Sequence, residues 1–308
     1  MNRSSRLWPI VLVLLGAASY GLATVALKLA ITDGWSVKHL TFHQVLSGAV
    51  LLWLALGLTR LRRGAPSLTS TWRAWLMLVV IGIVGLSLTT VFYNEALARL
   101  DASLGIVLLF QYTWITILLE SIRKRKRPTK QEWIAVVCIA AGTILAVGLL
   151  EQDFSQINGL GIVFGLLSAG TYSLFFFLTG FLPIHLDSIA KSAVMATVSL
   201  AFVMILQAAS FFDWSFEGEL LGWGLLLGLF GAAFPFFCFS YGIPKMGSGL
   251  AALLGSMELP AAVVAAFILL DEPLSVWQGA GIGLIMAGIM AAQGKPQQAA
   301  AVGKEGEK

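Results

Sequence analysis

The stretch PIVLVLLGAASYGLATVALKLAIT, from Pro9 to Thr32, decides the fold class of this sequence. As an α-helix it would extend about 36 Å at 1.5 Å per residue, more than the hydrocarbon core of a bilayer, about 30 Å. Its only charged residue is Lys28, near the far end. An apolar run of this length with a single charged residue predicts a helix that crosses a membrane.

Similar runs follow one another along the rest of the 308-residue chain. Only 12% of the residues are charged, whereas a soluble domain carries roughly 25%. A transmembrane barrel is excluded because its strands alternate in hydrophobicity over about 10 residues. The sequence therefore predicts an all-α membrane protein with ten transmembrane helices. The predicted spans are Pro9–Thr32, Leu40–Thr59, Ala74–Ala98, Ala102–Ile122, Gln131–Leu150, Asn158–Phe181, Ile189–Phe211, Glu219–Ile243, Gly247–Leu270 and Leu274–Gln293.

The charges between the spans alternate in sign. Of the 20 Lys and Arg residues, 17 fall in the two termini and in every second loop, Lys191 and Lys245 among them. The densest group, RKRKRPTK from Arg123 to Lys130, joins two spans and is interpreted as a topology anchor, not a nucleic-acid patch. Because basic loops stay in the cytoplasm, the pattern predicts a multi-pass protein of the cytoplasmic membrane with both termini inside.

The two halves of the sequence resemble each other at an offset of roughly 146 to 149 residues. The first span carries GxxSxG at Gly16, Ser19 and Gly21, and the sixth repeats it from Gly165 to Gly170. Five spans per half is an odd number, so the second half must enter the membrane upside down. We predict a first repeat over residues 1–150, an inverted repeat over 151–293 and a disordered cytoplasmic tail over 294–308. Inverted repeats recur in secondary transporters, with the substrate site near the midplane.

The sequence also resembles the EamA-type members of the drug/metabolite transporter superfamily. The resemblance rests on SYGLATVALK (Ser19 to Lys28) and on ELPAAVVAAFILLDEPLS (Glu258 to Ser275), which includes Glu272 before the last helix. One departure is that many members carry an Arg early in the second span, where this chain has His43 and Gln44. The resemblance implies that helices 1, 3, 4, 6, 8 and 9 line a cavity and that helices 5 and 10 are peripheral. It also implies alternating-access transport of a small organic metabolite, an amino acid or drug-like compound, with export the expected direction.

Glu258 is the main candidate site residue because it lies about halfway along span 9. Burial away from water disfavours a charged carboxylate, so this group is a candidate for binding and releasing a proton during transport. A neutral carboxyl bonded to a neighbouring helix is the alternative. The candidate substrate-binding residues are Tyr20, Lys28, Tyr93, Gln111, Tyr112, Trp114, Tyr172, Ser240 and Glu258.

Four further features concern helix kinks, helix ends and helix packing. Pro235 and Pro260 each free a backbone carbonyl, which indicates either a substrate-lined kink or a kink that only serves packing. Lys28 is close enough to a helix end to reach the membrane surface instead of a substrate. Glu120 is interpreted as an interfacial ion pair with Arg123 or Lys124. The Gly-rich faces of spans 5 and 10 indicate close helix packing, within the chain or in a homodimer.

Other classes of protein fit less well. A membrane-embedded enzyme would be expected to show a motif such as HExxH or GxSxG, and neither is present. Without a GxxxxGK[ST] motif, ATP is not expected to drive the process, and no cofactor is predicted. Cys138 and Cys238 lie singly in apolar runs, so no metal site is predicted either. A passive channel remains the other alternative, and kinetics would distinguish it from a carrier.

Overall fold

The computed structural model describes residues 3–63, 71–100, 102–148, 158–206, 218–270 and 275–293, and within these ranges the regular structure is entirely helical. The predicted tail over 294–308 lies outside them, as does Glu272. The same holds for the acidic loop residues Glu151, Asp153, Asp213, Glu217 and Asp271.

Ten membrane helices are formed by the described residues, which confirms the predicted fold class. Nine are long and apolar enough to cross a membrane, and the other, α5, has 17 residues. The ends differ from the predicted spans by a few residues, most in α2, which is longer at both ends. The helices are α1 Arg3–Thr32, α2 Val37–Arg63, α3 Trp72–Leu97, α4 Ala102–Leu109 continuing as Tyr112–Lys124, α5 Lys130–Ala146, α6 Gly159–Thr179, α7 Ser188–Leu206, α8 Gly218–Met246, α9 Ser248–Gly255 continuing as Glu258–Leu269, and α10 Val276–Gln293.

The packing of the helices has the symmetry of an inverted repeat. Helix α1 packs against α8 and α9, and its counterpart α6 packs against α3 and α4. Likewise α2 packs against α8 while α7 packs against α3, and α5 packs against α10. These contacts are therefore matched in pairs, with the roles of the two halves exchanged.

The interruptions of the helices follow the same symmetry. Helices α3 and α8 contain π-helical segments, at Ile81–Leu88 and Leu229–Ala233. Helices α4 and α9 are each broken into two halves, after Leu109 and after Gly255. Prolines accompany only the interruptions of α8 and α9, so the sequence analysis missed those of α3 and α4.

The π segment of α8 is stabilised by side chains from two other helices. Pro235 has no N–H, so neither Phe230 O nor Gly231 O can accept a backbone hydrogen bond from that position. The Ser19 hydroxyl donates to Phe230 O at 2.6 Å, and the Gln44 amide donates to Gly231 O at 3.0 Å. Gln44 is one of the two residues found where the resembled family often has an Arg, and here its side chain donates to the carbonyl of Gly231.

The breaks of α4 and α9 are satisfied in the same way. In α4, the Gln111 N–H donates to Leu108 O at 3.2 Å, and its side-chain amide donates to Val107 O at 2.8 Å. In α9, the N–H of Ser256 donates to Leu253 O, one residue nearer than in a regular α-helix. The carbonyl this releases, Ala252 O, accepts from the Tyr112 hydroxyl at 3.2 Å. Other hydrogen-bond donors of the protein thus replace the backbone N–H groups that would reach these carbonyls in an unbroken helix.

Glycines bring α5 and α10 together. A Cβ at Gly142 would lie 2.7 Å from Gly281 O, and one at Gly288 would lie 3.0 Å from Ala135 O. These glycines therefore serve packing within the chain. Gly279 and Gly283 have no such neighbour within 4 Å among the described residues. The homodimer stays a prediction.

Candidate functional site

The break in α9 places Glu258 at the first position of the second half of that helix. The residue is half-buried, and within the described part of the chain its carboxylate has no hydrogen-bond or ion-pair partner. Four tyrosines, one from each of helices α1, α3, α4 and α6, lie within electrostatic range of its carboxyl group. They are Tyr20, Tyr93, Tyr112 and Tyr172.

Helix α1 forms one wall of this site. It approaches α9 so closely at Gly21 that an added Cβ would lie 2.7 Å from Ala262 N. Lys28 follows Gly21 by seven residues, so it lies on the same face, about 10 Å further along the helix axis. On that face Ala17 is 0% exposed, Tyr20 is half-buried, and Thr24 and Lys28 are exposed. The side chains on this face of α1 therefore become more exposed from Ala17 toward Lys28.

Two counterpart positions on α6 are buried. Ala169 and Ser173 take the repeat positions of Tyr20 and Thr24, and they are 0% and 1% exposed. The two repeats therefore differ in exposure although they share a fold. We call the side of the Arg123–Lys130 loop the basic side. We interpret the exposed positions of α1 as the wall of a cleft beside Glu258 that is closed toward the basic side and open toward the opposite side.

Five aromatic side chains close the cleft on the basic side, and we call them the aromatic floor. The ring centroids of Tyr112 and Tyr172 are 4.6 Å apart, and the ring centroid of Phe176 lies 5.2 Å from each of them. Every member is less than 9% exposed. The sequence analysis named only the two tyrosines, although the consecutive Phe175 and Phe176 were a signal for the others. The floor consists of Tyr112, Tyr172, Phe175, Phe176 and Phe239.

The broken helices explain why only one side is closed. On the basic side, the half-helix Tyr112–Lys124 packs against Ser248–Gly255. The other two halves pack elsewhere, Ala102–Leu109 against α6 and Glu258–Leu269 against α1. Because both helices are broken, α4 and α9 contact each other through one half of each helix and stay apart through the other half.

The remaining candidates serve structural contacts in this conformation. The Trp114 indole donates to the Gln111 side-chain oxygen at 2.8 Å, so both residues brace the break in α4. Ser240 is buried, and its hydroxyl lies 2.9 Å from that of Ser192. Its carbonyl accepts from Lys191 at 3.0 Å. Lys191 is 2% exposed, so its assignment to a loop was wrong, because it lies within α7.

Among the described residues, no group of three or more His, Cys, Asp and Glu side chains is placed to hold a metal ion. Together, the helices and the cleft define a polytopic membrane protein in which two inverted five-helix repeats enclose a one-sided polar site.

The chain belongs to the EamA-like transporter family, whose pattern matches residues 7–148 and 159–292. The two matched segments correspond to the two structural repeats, and the resemblance drawn from the sequence is confirmed. The protein is therefore a multi-pass membrane transporter of small substrates.

Two relatives and one solved structure show how similar known proteins are. Uncharacterized transporter YcbK of Bacillus subtilis is 24% identical over 193 residues, and the match spans 61% of this chain and 62% of that protein. Uncharacterized protein PA1977 of Pseudomonas aeruginosa is 28% identical over 279 residues, 89% of each chain. A crystal structure with 16% sequence identity superposes with a TM-score of 0.76, covering 94% of this chain and 98% of its own, which supports the fold.

Proposed function

We propose that this chain is a secondary transporter that moves a small organic metabolite across the cytoplasmic membrane by alternating access, in the export direction. The proposal rests on one observation, the asymmetry of burial around Glu258: the aromatic floor is buried on the basic side, whereas Thr24 and Lys28 of α1 are exposed toward the other side, although the two repeats are equivalent in fold. Exchanging the conformations of two equivalent halves would open the closed side and close the open one. A membrane enzyme would have no need of this exchange.

The proposed orientation follows from the loop charges. Basic loops are retained in the cytoplasm, so the basic side and both termini are assigned there. The conformation described above then faces outward, as a carrier does after releasing an exported substrate.

The exposed part of the cleft suggests the class of substrate. Glu258 can pair with an ammonium group, Lys28 can pair with a carboxylate, and Tyr20 and Tyr93 offer aromatic surface between helices. We therefore favour an amphipathic zwitterion of the size of an amino acid. Tyr112 and Tyr172 would contact it from the floor.

The transport proposal is tested in proteoliposomes. A screen of metabolite uptake and efflux in cells that overproduce the protein supplies a substrate for counterflow measurements. Saturable counterflow of an unchanged compound is expected. Flux that never saturates would identify a channel, and chemical conversion of the compound would identify an enzyme.

The role of Glu258 is tested by Glu258→Gln. We expect this variant to lose the dependence of uptake on an imposed pH gradient, because an amide cannot carry the proton, and to show weaker counterflow, because an amide cannot pair with the ammonium group of the substrate. Glu219→Gln, an exposed acidic residue at the start of α8, is the control and should behave as wild type. A Glu258→Gln variant with unchanged pH-driven uptake would rule out proton coupling at this residue.

A further inference from the structure

Glu120 makes contacts that its interpretation as an interfacial ion pair does not explain. It ends a buried face of α4 on the basic side, and its side chain is only 10% exposed. The carboxylate accepts a hydrogen bond from the Gly249 N–H at 2.5 Å and pairs with Lys124 at 2.5 Å. Gly249 lies in the first turn of α9, 129 residues away in sequence.

The start of α9 is shaped to receive this carboxylate. Gly247 has φ +95°, a conformation that L side chains rarely adopt, and an added Cβ there would lie 2.8 Å from a Glu120 oxygen. The first N–H groups of a helix have no partner within the helix, and the helix dipole favours a negative charge beside them. Ile117 and Leu253, which are 3% and 0% exposed, keep water away from the contact.

Among the described residues, the opposite side of the protein shows no equivalent contact. At the repeat offset of about 146 residues, the positions of Glu120 and Lys124 are taken by Ala266 and Leu270, which can form neither the ion pair nor the cap. The half-helices that would meet there pack elsewhere instead. Within the described ranges, a charged interaction between α4 and α9 is thus found on the basic side alone, where the two helices pack together.

We propose that Glu120 is a gating residue, and that its bonds to Gly249 and Lys124 form a latch that holds the basic side of the cleft shut. This inference rests on the proposed alternating-access function. When α4 and α9 separate, the Gly249 N–H and the Glu120 carboxylate both become hydrated by water. The latch therefore favours the outward-open state, and weakening it shifts the population toward the state that is open on the basic side.

The test measures access to a buried position and needs no substrate. In a chain with Cys138→Ala and Cys238→Ala, Ser256→Cys places one thiol at the break of α9, where Ser256 is 0% exposed. A small impermeant methanethiosulfonate reagent is applied to inverted vesicles and, separately, to right-side-out vesicles. The rate of labelling reports how often the cleft opens toward each side.

We expect Glu120→Ala to accelerate labelling from the basic side by about tenfold, because a hydrogen bond to a charged group is lost. Lys124→Gln should accelerate it by about twofold, because it removes only a half-exposed ion pair. The matched control is Glu132→Gln. Glu132 also accepts a backbone N–H on this side, from Thr129, but it caps α5. It should leave the rate unchanged.

A second variant covers the case in which Glu120→Ala does not fold. Gly249→Ala keeps both charges but places a methyl group against the carboxylate, so it should also accelerate labelling from the basic side. Wild-type labelling rates in the folded variants would overturn the proposal. So would equal acceleration from both sides, since that would mark a residue that only stabilises the fold. If the latch fails while saturable counterflow persists, the transporter proposal stands without it; if counterflow fails, the labelling result still decides the latch.

Discussion

Gly21 and Gly170 occupy the same position in the two copies of the GxxSxG motif, but their surroundings differ. An added Cβ at Gly21 would lie 2.7 Å from Ala262 N, whereas at Gly170 nothing lies within 4 Å. We expect Gly21→Ala to lower the free energy of unfolding by about 1–3 kcal/mol, since backbone must move. Gly170→Ala should raise it slightly, by up to about 1 kcal/mol, because Ala favours a helix.

Thermal unfolding of the two purified variants in detergent measures this difference. Counterflow should also fall in Gly21→Ala, because the contact with α9 adjoins Glu258. Equal stability of the two variants would mean that α1 and α9 are not in close contact at this point.

Single residues also show which features of the site can be predicted from the sequence and which depend on how the helices pack. Glu258 was predicted as the central polar residue, because its position in an apolar span is a local property. Glu120 was paired with its neighbours in sequence, and that was right for Lys124. Its contact with Gly249 depends on how two distant helices pack, which a single sequence does not reveal. Ser19 was identified only as part of the repeated GxxSxG motif, although its hydroxyl stabilises the π segment of α8.

At the scale of elements, the irregular part of α8 depends on a donor from α2. Gln44→Leu removes the hydrogen bond to Gly231 O while keeping the size of the side chain. We expect it to lower the free energy of unfolding by about 1–3 kcal/mol, because a buried carbonyl is left without a partner. Pro235→Ala restores an N–H four residues beyond Gly231, so the cost of Gln44→Leu should shrink in that background.

A double-mutant cycle on these two substitutions checks the argument. The coupling energy should exceed about 0.5 kcal/mol, the level at which independent sites stop being additive. Additive effects would show that Gln44 and Pro235 do not act on the same carbonyl. The spans could be predicted from hydropathy, but the π segment of α3 could not, because no proline or other local signal marks it.

At the scale of the whole molecule, the two repeats should differ in accessibility. In the cysteine-free background, Thr24→Cys lies on the open face of α1, whereas Ser173→Cys, its repeat counterpart, is buried in α6. We expect rapid labelling of Thr24→Cys from the side opposite the basic loops, and labelling of Ser173→Cys from the basic side at least about tenfold slower. Impermeant thiol reagents on oriented vesicles provide the measurement.

Comparable rates at the two positions would indicate that the protein populates both states equally. The inverted architecture itself could be predicted from the odd number of spans per half. The state of the cleft could not, because both states use the same helices and the same sequence.

The glycine seam between α5 and α10 has a mechanical consequence. Gly142 and Gly281 bring backbone against backbone, and each belongs to a different half of the chain. If the two halves rock against each other as the transport proposal requires, they must turn around this joint, because backbone packed against backbone leaves no room to slide. Larger side chains along the seam should then slow the transport of every substrate alike.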